Sequence, residues 1–328
     1  MQRTFPLAQR VRFASLPIPV ASFAAVVGIV ALGLDWRATG RAGNAPPAIG
    51  ESLIAVGGLV FVALIVTWLK RIAAYPNELR VEFKSPITAS LFGTIVISTS
   101  LLSAGVLPYS IALATVLWIV ATASGLLLLI TLLGRWIETG IESFELTPAL
   151  YAPIVGNATT TYAGVALGFG EIAWLSYAVA LFTWLTIGPI VVYRLLVVVP
   201  RLPRKMAPQL GLLVSSPAVL AGAWYALTGH TDAVYKLLAF NALFLGMLVV
   251  RLWRVGWGEP FNVAMWGWTF PTAALAGAFG LASRTMPDPL YRILGPLTLA
   301  IATVTVGLCA MGTVRGWFRR LIGSETVA

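Results

Sequence analysis

Ten long runs of apolar residues, separated by short polar connections, leave this chain few ways to fold. They lie at about 16–34, 50–69, 86–107, 109–133, 148–169, 172–196, 207–229, 233–253, 261–283 and 289–313. A bilayer crossing needs roughly 20 mostly apolar residues. In hydrocarbon a single helix satisfies its own backbone groups, which an open strand cannot do. Only 10% of the 328 residues are charged, and mean hydropathy is +0.89. A soluble domain of this size cannot hide that much apolar surface. The expected fold class is therefore an all-α polytopic membrane protein. Residues 16–313 form its transmembrane domain, with tails at 1–15 and 314–328. The basic segment from Met1 to Arg12 resembles a secretory leader. However, 16–34 is long enough to span and no clear small-residue cleavage site follows, so it reads as the first helix.

Ten crossings put both ends on one side. Of the 22 Lys and Arg, all but Arg37, Arg41, Lys236, Arg284 and Arg292 fall in the tails or after even-numbered spans. The positive-inside rule then places both termini in the cytoplasm. On the opposite side Asp35, Glu51, Glu171, Asp232 and Asp288 balance the five bases. The whole excess of +10 sits at the cytoplasmic face. Topology and anionic lipid account for it, so it calls for no nucleic acid.

Odd and even spans differ. Pro19, Pro153, Pro217 and Pro271 lie within odd spans and are followed mainly by small residues, with Phe23 after Pro19 and Asn157 after Pro153. The third span departs, with Pro86 at its start and Gly93 further in. Even spans are rich in Leu and Val. The pattern is a weak repeat of one helix pair, and a two-span unit repeats in the same orientation. Small residues permit close helix approach. Five parallel helical hairpins can thus close as a ring, with odd helices inside around a central pore and even helices facing lipid.

The ninth span is uncharged from Phe261 to Ser283 and carries Trp266-Gly267-Trp268-Thr269-Phe270-Pro271. Pro271 cannot donate to the carbonyl of Gly267, which breaks the helix ladder beside Phe270. Two readings stand: a packing kink with a core phenylalanine, or a pore plugged by the ring. Asn157, Thr159, Thr160, Thr161 and Thr269 are the polar residues of these spans. They serve equally to hydrate an ion or to bond carbonyls freed at the kinks. The spans show no convincing buried charge, so a proton relay is not expected. With one histidine, His230, and one cysteine, Cys309, the chain offers no His-Glu-x-x-His, no Cys-x-x-Cys and no Walker motif. No enzyme, metal site or cofactor is expected.

In order and spacing, the chain resembles the tellurite-resistance/dicarboxylate transporter family of bacterial TehA and the plant slow anion channels. The matching stretches are Glu78-Leu79-Arg80-Val81-Glu82-Phe83-Lys84-Ser85-Pro86, Leu150-Tyr151-Ala152-Pro153 with Asn157, Ser216-Pro217-Ala218, and Trp266 to Pro271. The resemblance implies ten helices around a pore, a homotrimer with one pore per protomer, and a gating phenylalanine at Phe270. Pro19, Phe23, Gly93, Pro153, Asn157, Pro217, Thr269 and Pro271 would line or kink the pore. It implies a channel for small inorganic or organic anions. The alternative is a secondary exporter of an oxyanion such as tellurite or sulfite, or of a C4-dicarboxylate. The chain lacks the long phosphorylatable tails of the plant channels.

Overall fold

The structure is a computed structural model that describes residues 19–199, 201–252 and 261–324. Expectations resting on 1–18, 253–260 and 325–328, including the N-terminal tail and Arg3, Arg10, Arg12 and Arg254, lie outside the described residues.

Every regular element among the described residues is helical. The helices are α1 (Ala24–Arg41), α2 (Pro47–Ala74), α3 (Pro76–Lys84), α4 (Pro86–Ser90), α5 (Gly93–Val106) and α6 (Ile111–Thr139). They continue with α7 (Ala152–Ala166), α8 (Gly170–Val197), α9 (Leu212–Thr228), α10 (Ala233–Leu252), α11 (Thr269–Thr285) and α12 (Pro289–Ser324). Local chemistry marks several ends. The Ser110 hydroxyl accepts from the amide of Leu113 to cap α6. Gly140 and Gly229 end α6 and α9 at φ 72°, a backbone conformation that favours glycine.

Among the described residues, eight helical stretches are long and apolar enough to cross a membrane. The segments containing α7 and α11 are not among them. Asn157 and three threonines dilute α7, and Gly, Ala and Thr dilute α11. Both are enclosed by protein. α7 packs on α5, α6, α8 and α9, and α11 packs on α1, α9, α10 and α12. A helix surrounded by other helices does not need lipid-soluble side chains on every face.

Helix contacts follow the odd-even contrast. α1 packs on α5, α5 on α7, α7 on α9, α9 on α11, and α11 back on α1, a closed cycle. Each member also packs on the long helix that follows it. The stretches containing α1, α5 and α9 are 61%, 67% and 72% buried, whereas those of α2, α6, α8, α10 and α12 are 11–33% buried. The exposed residues of the second group are large and apolar, such as Leu59, Leu127, Phe182, Leu237 and Val304.

Four of the five cycle helices are entered through a 3-10 segment: Val20–Phe23, Pro148–Tyr151, Arg204–Gly211 and Val263–Trp268. The fifth, α5, follows the short helix α4 and a break at Leu91 and Phe92. This corrects the reading of mid-helix proline kinks. Pro19 precedes its 3-10 segment, and Pro153 and Pro271 lie in the first turns of α7 and α11. In both, the 3-10 segment runs directly into the α-helix, so each proline stands where the winding changes and not within a uniform helix. Only Pro217 among these four lies inside its helix.

The helices outrun the apolar spans and carry buried charge just beyond them, and Arg194, expected to reach out of its span, is 2% exposed. α1 runs on to Arg41, well past the apolar stretch. Arg37, 5% exposed, donates to both carboxylate oxygens of Glu51 at 2.7 and 2.5 Å and to the carbonyl of Gly105 at 2.8 Å. The Tyr109 hydroxyl donates to the same carboxylate at 2.6 Å. At the opposite end of α2, Arg71 pairs with Glu82, both buried. A paired and hydrogen-bonded charge can stay in the interior, and the sequence alone does not reveal the partner.

Candidate functional site

The side chains of α11 can be placed by what their neighbours meet. A Cβ added at Gly28 of α1 would lie 2.0 Å from the Thr269 hydroxyl oxygen, so Thr269 faces α1. A Cβ at Gly211, just before α9, would lie 2.9 Å from the Pro271 ring and 3.2 Å from Trp268. Successive residues of a helix turn by about 100°. Phe270 therefore points between α1 and the α9 side. Its ring is 6% exposed. Ala274 and Leu281 continue the same stripe toward the C-terminal end and are partly exposed, while Gly277 and Arg284 border it on the side of α1, where Gly277 meets Asp35. Ala273, Ala276, Ala278 and Phe279 on the flanks are buried.

Hydroxyl groups bond several of the carbonyls around Pro271. The Thr269 hydroxyl donates to the carbonyl of Trp266 at 2.7 Å, and the Thr272 hydroxyl to that of Thr269 at 2.8 Å. The Gly267 carbonyl oxygen lies 2.9 Å from where a Cβ on Gly211 would stand. Of the two roles open to these polar residues, this structure has Thr269 in the backbone-bonding one.

On α7 the same construction separates residues that are adjacent in the chain. The Asn157 amide donates to Gly125 of α6 at 3.1 Å and to Pro153 at 2.9 Å. Asn157 therefore faces α6, outside the cycle, and not the face common to α5 and α9. Gly156 abuts Val96 of α5, and the Tyr162 hydroxyl donates to Val219 of α9 at 2.7 Å. Thr159 lies between those two directions and is the polar residue on the inward face of α7. Thr160 donates to the carbonyl of Asn157, while its own carbonyl accepts from Trp118 of α6.

Phe23 also turns outward. Its ring meets Phe61 and Trp68 of α2 edge-on, at centroid distances of 5.9 and 6.4 Å. It fastens α1 to α2, which corrects the expectation that it lines the interior. Gly93 has a different reason to be glycine. A Cβ there would lie 2.5 Å from the carbonyl carbon of Ala152 and 2.6 Å from the nitrogen of Pro153. Its lack of a side chain lets α5 touch the start of α7. Pro217 sits in a stretch of α9 that is buried continuously from 213 to 223, with Ser215 and Ser216 among it. Ser216 entered the sequence reading only as part of a matching stretch, and Thr159 only within a polar run. The period of the helix is the signal that distinguishes Thr159 from Asn157.

Long apolar helices, most of them lipid-compatible, packed as an inner cycle with outer partners, define a multi-pass all-helical membrane protein. Within that class, the model of the SLAC1 family, described as voltage-dependent anion channel, matches residues 17–314, and the chain belongs to that family. It is 28% identical over 300 residues to the S-type anion channel SLAH2 of Arabidopsis thaliana, covering 89% of this chain and 57% of that protein. It is 25% identical to S-type anion channel SLAH3 of the same plant, covering 91% and 48%. It is 23% identical to the tellurite resistance protein TehA homolog of Haemophilus influenzae, covering 91% and 90%. The chain thus spans about half the length of the two plant relatives.

Proposed function

We propose that this protein is an anion channel whose ten spans form five parallel hairpins around a central pore, closed at Phe270. The spans are α1, α2, α4 with α5, and each of α6 to α12. The single observation that carries the reading is the direction of Phe270, which points between the two cycle neighbours of α11. A phenyl ring in a narrow apolar bore excludes water, and a dewetted constriction blocks ions. Rotation of the ring about its side-chain torsions opens the path. The barrier between such rotamers is small beside the cost of moving a helix.

Small monovalent anions are the favoured cargo. A single charge costs less to dehydrate than two, least of all on the larger of these ions, and the basic residues assigned to the cytoplasmic mouth concentrate them. On the inward face of α7 the Thr159 hydroxyl donates to the Gly156 carbonyl at 2.8 Å, and it reaches a passing anion only by turning away from that carbonyl. The proposed setting is a bacterial inner membrane with both termini cytoplasmic, and the proposed assembly is a homotrimer with a pore in each protomer. The orientation rests on the distribution of Lys and Arg. The assembly rests on family resemblance.

The test is anion current in planar bilayers holding wild type or Phe270→Ala. The variant is expected to conduct at least tenfold more, with current linear in voltage. Currents equal to wild type would remove Phe270 from the gate. Saturable, pH-coupled counterflow in liposomes would instead support an exporter of oxyanions or dicarboxylates, the reading favoured by the tellurite-resistance name of the Haemophilus relative.

A further inference from the structure

A cavity of about 750 Å³ lies between α1, α11 and α12. Gly277, Gly280 and Gly295 form part of its wall; a Cβ at Gly277 would meet Asp35 at 2.9 Å, and one at Gly295 would meet Ser283 at 2.8 Å. Three charged residues line it: Asp35 on α1, Arg284 in the last turn of α11 and Arg292 in the first turn of α12. Farther along α12 the lining is Leu299, Ala300, Thr303 and Val304, mostly apolar, with the Thr303 hydroxyl taken by the Trp36 indole of α1 at 3.1 Å. From Arg292 to Val304 is roughly 18 Å of helix at about 1.5 Å per residue. Val304 is 60% exposed, and so is much of Ile301 beside it. The cleft therefore opens sideways on a helix flank of the kind that meets hydrocarbon.

Two features at the charged end call for a ligand. Oδ2 of Asp35 is buried and has no hydrogen-bond partner. Leaving such an oxygen unsatisfied is costly, so a donor belongs there. Arginine guanidinium groups match phosphate oxygens in shape and charge. The level is also informative. Arg37, half a turn beyond Asp35, bonds the carbonyl of Gly105 at the end of α5. Asp35 thus stands near the depth at which that helix ends, where lipid headgroups lie.

We propose that this cleft holds one phosphatidylethanolamine molecule. Its phosphate sits on Arg284 and Arg292, its ammonium donates to Asp35, and an acyl chain runs along α12 toward Val304. A headgroup with a trimethylated nitrogen has no N–H to give Asp35 and binds less well.

The test uses the full chain purified in detergent and delipidated. Lipid retained per chain is read by native mass spectrometry, and the unfolding temperature is read with added phosphatidylethanolamine, phosphatidylcholine or inorganic phosphate. Wild type is expected to retain one phosphatidylethanolamine per chain and to be stabilised by several degrees more by it than by phosphatidylcholine. Arg284→Gln with Arg292→Gln loses at least half of that shift, and Asp35→Asn loses the preference between the two lipids. Equal retention of both lipids by wild type overturns the proposal without reference to any variant. So does a shift reproduced by phosphate alone. A change of oligomer mass in Asp35→Asn with the lipid preference intact would make the cleft a contact between copies of the chain and would also overturn it.

Discussion

Gly28 and Thr269 are far apart in the chain and touch in the structure, with no space for a methyl group between them. Gly28→Ala forces the Thr269 side chain or α1 to move, at a cost of about 1–3 kcal/mol. Adding Thr269→Ala removes the hydroxyl, the nearer obstacle at 2.0 Å, but leaves the Cβ at 2.5 Å, so it relieves part of the overlap. The double variant is expected to unfold at a higher temperature than Gly28→Ala alone; a lower value would mean that the two do not share this space. Asp232 illustrates a titrating residue. Burial works against its charge, but hydrogen bonds from the Tyr235 amide, the Trp224 indole and the Val234 amide hold its carboxyl below the usual range. A depressed folded value means that this contribution is complete above the unfolded pKa of about 3.9 and fades as pH falls through the folded one. Unfolding temperature measured through that acid range should fall less steeply for Asp232→Asn than for wild type. At this scale the site was partly legible. Phe270 and Thr269 stood out because a proline follows them. Asn157 misled because polarity in an apolar run does not disclose which neighbour satisfies it; here α6 does.

The cycle helices share a design that the sequence displayed as prolines and the structure displays as tightly wound starts. Proline position was readable, but its effect was not. Whether proline kinks a helix or begins one depends on how the preceding residues coil, and those residues are fixed by tertiary contacts. The junction of α5 and α7 is the tightest case. At Gly93 the obstacle is backbone, the carbonyl carbon of Ala152 and the nitrogen of Pro153, and backbone cannot rotate aside as a side chain can. Gly93→Ala should therefore cost more than Gly28→Ala, about 3 kcal/mol or above, at the upper end of what overpacking does. Chemical denaturation of the two variants in one detergent gives the ranking, and the reverse order would show that α5 and α7 separate easily.

For the whole molecule, one ion-pair cluster joins three helices at the end of the fold that holds Tyr109. Arg37 of α1 binds Glu51 of α2 and the carbonyl of Gly105 in α5, and Tyr109 steadies the same carboxylate. Breaking a fully buried pair costs roughly 3–5 kcal/mol. The Glu51 side chain is 35% exposed, so solvent screening reduces that to about 1–3 kcal/mol for Glu51→Gln. Tyr109→Phe, which leaves the pair intact, should lose less. A larger loss for Tyr109→Phe in thermal unfolding would contradict this ordering. By itself the sequence determined that the chain is helical and spans a membrane, and which helices face lipid and which are enclosed. Those properties follow from the local composition of each stretch, which solvent or lipid acts on directly. Only the tertiary structure decided the order in which helices close on one another, the direction of Phe270, Phe23 and Asn157, and the partners of Arg37 and Arg71. Each of these depends on atoms brought together from distant parts of the chain, as at Gly28 with Thr269, and a run of residue types contains no record of which distant atoms will meet.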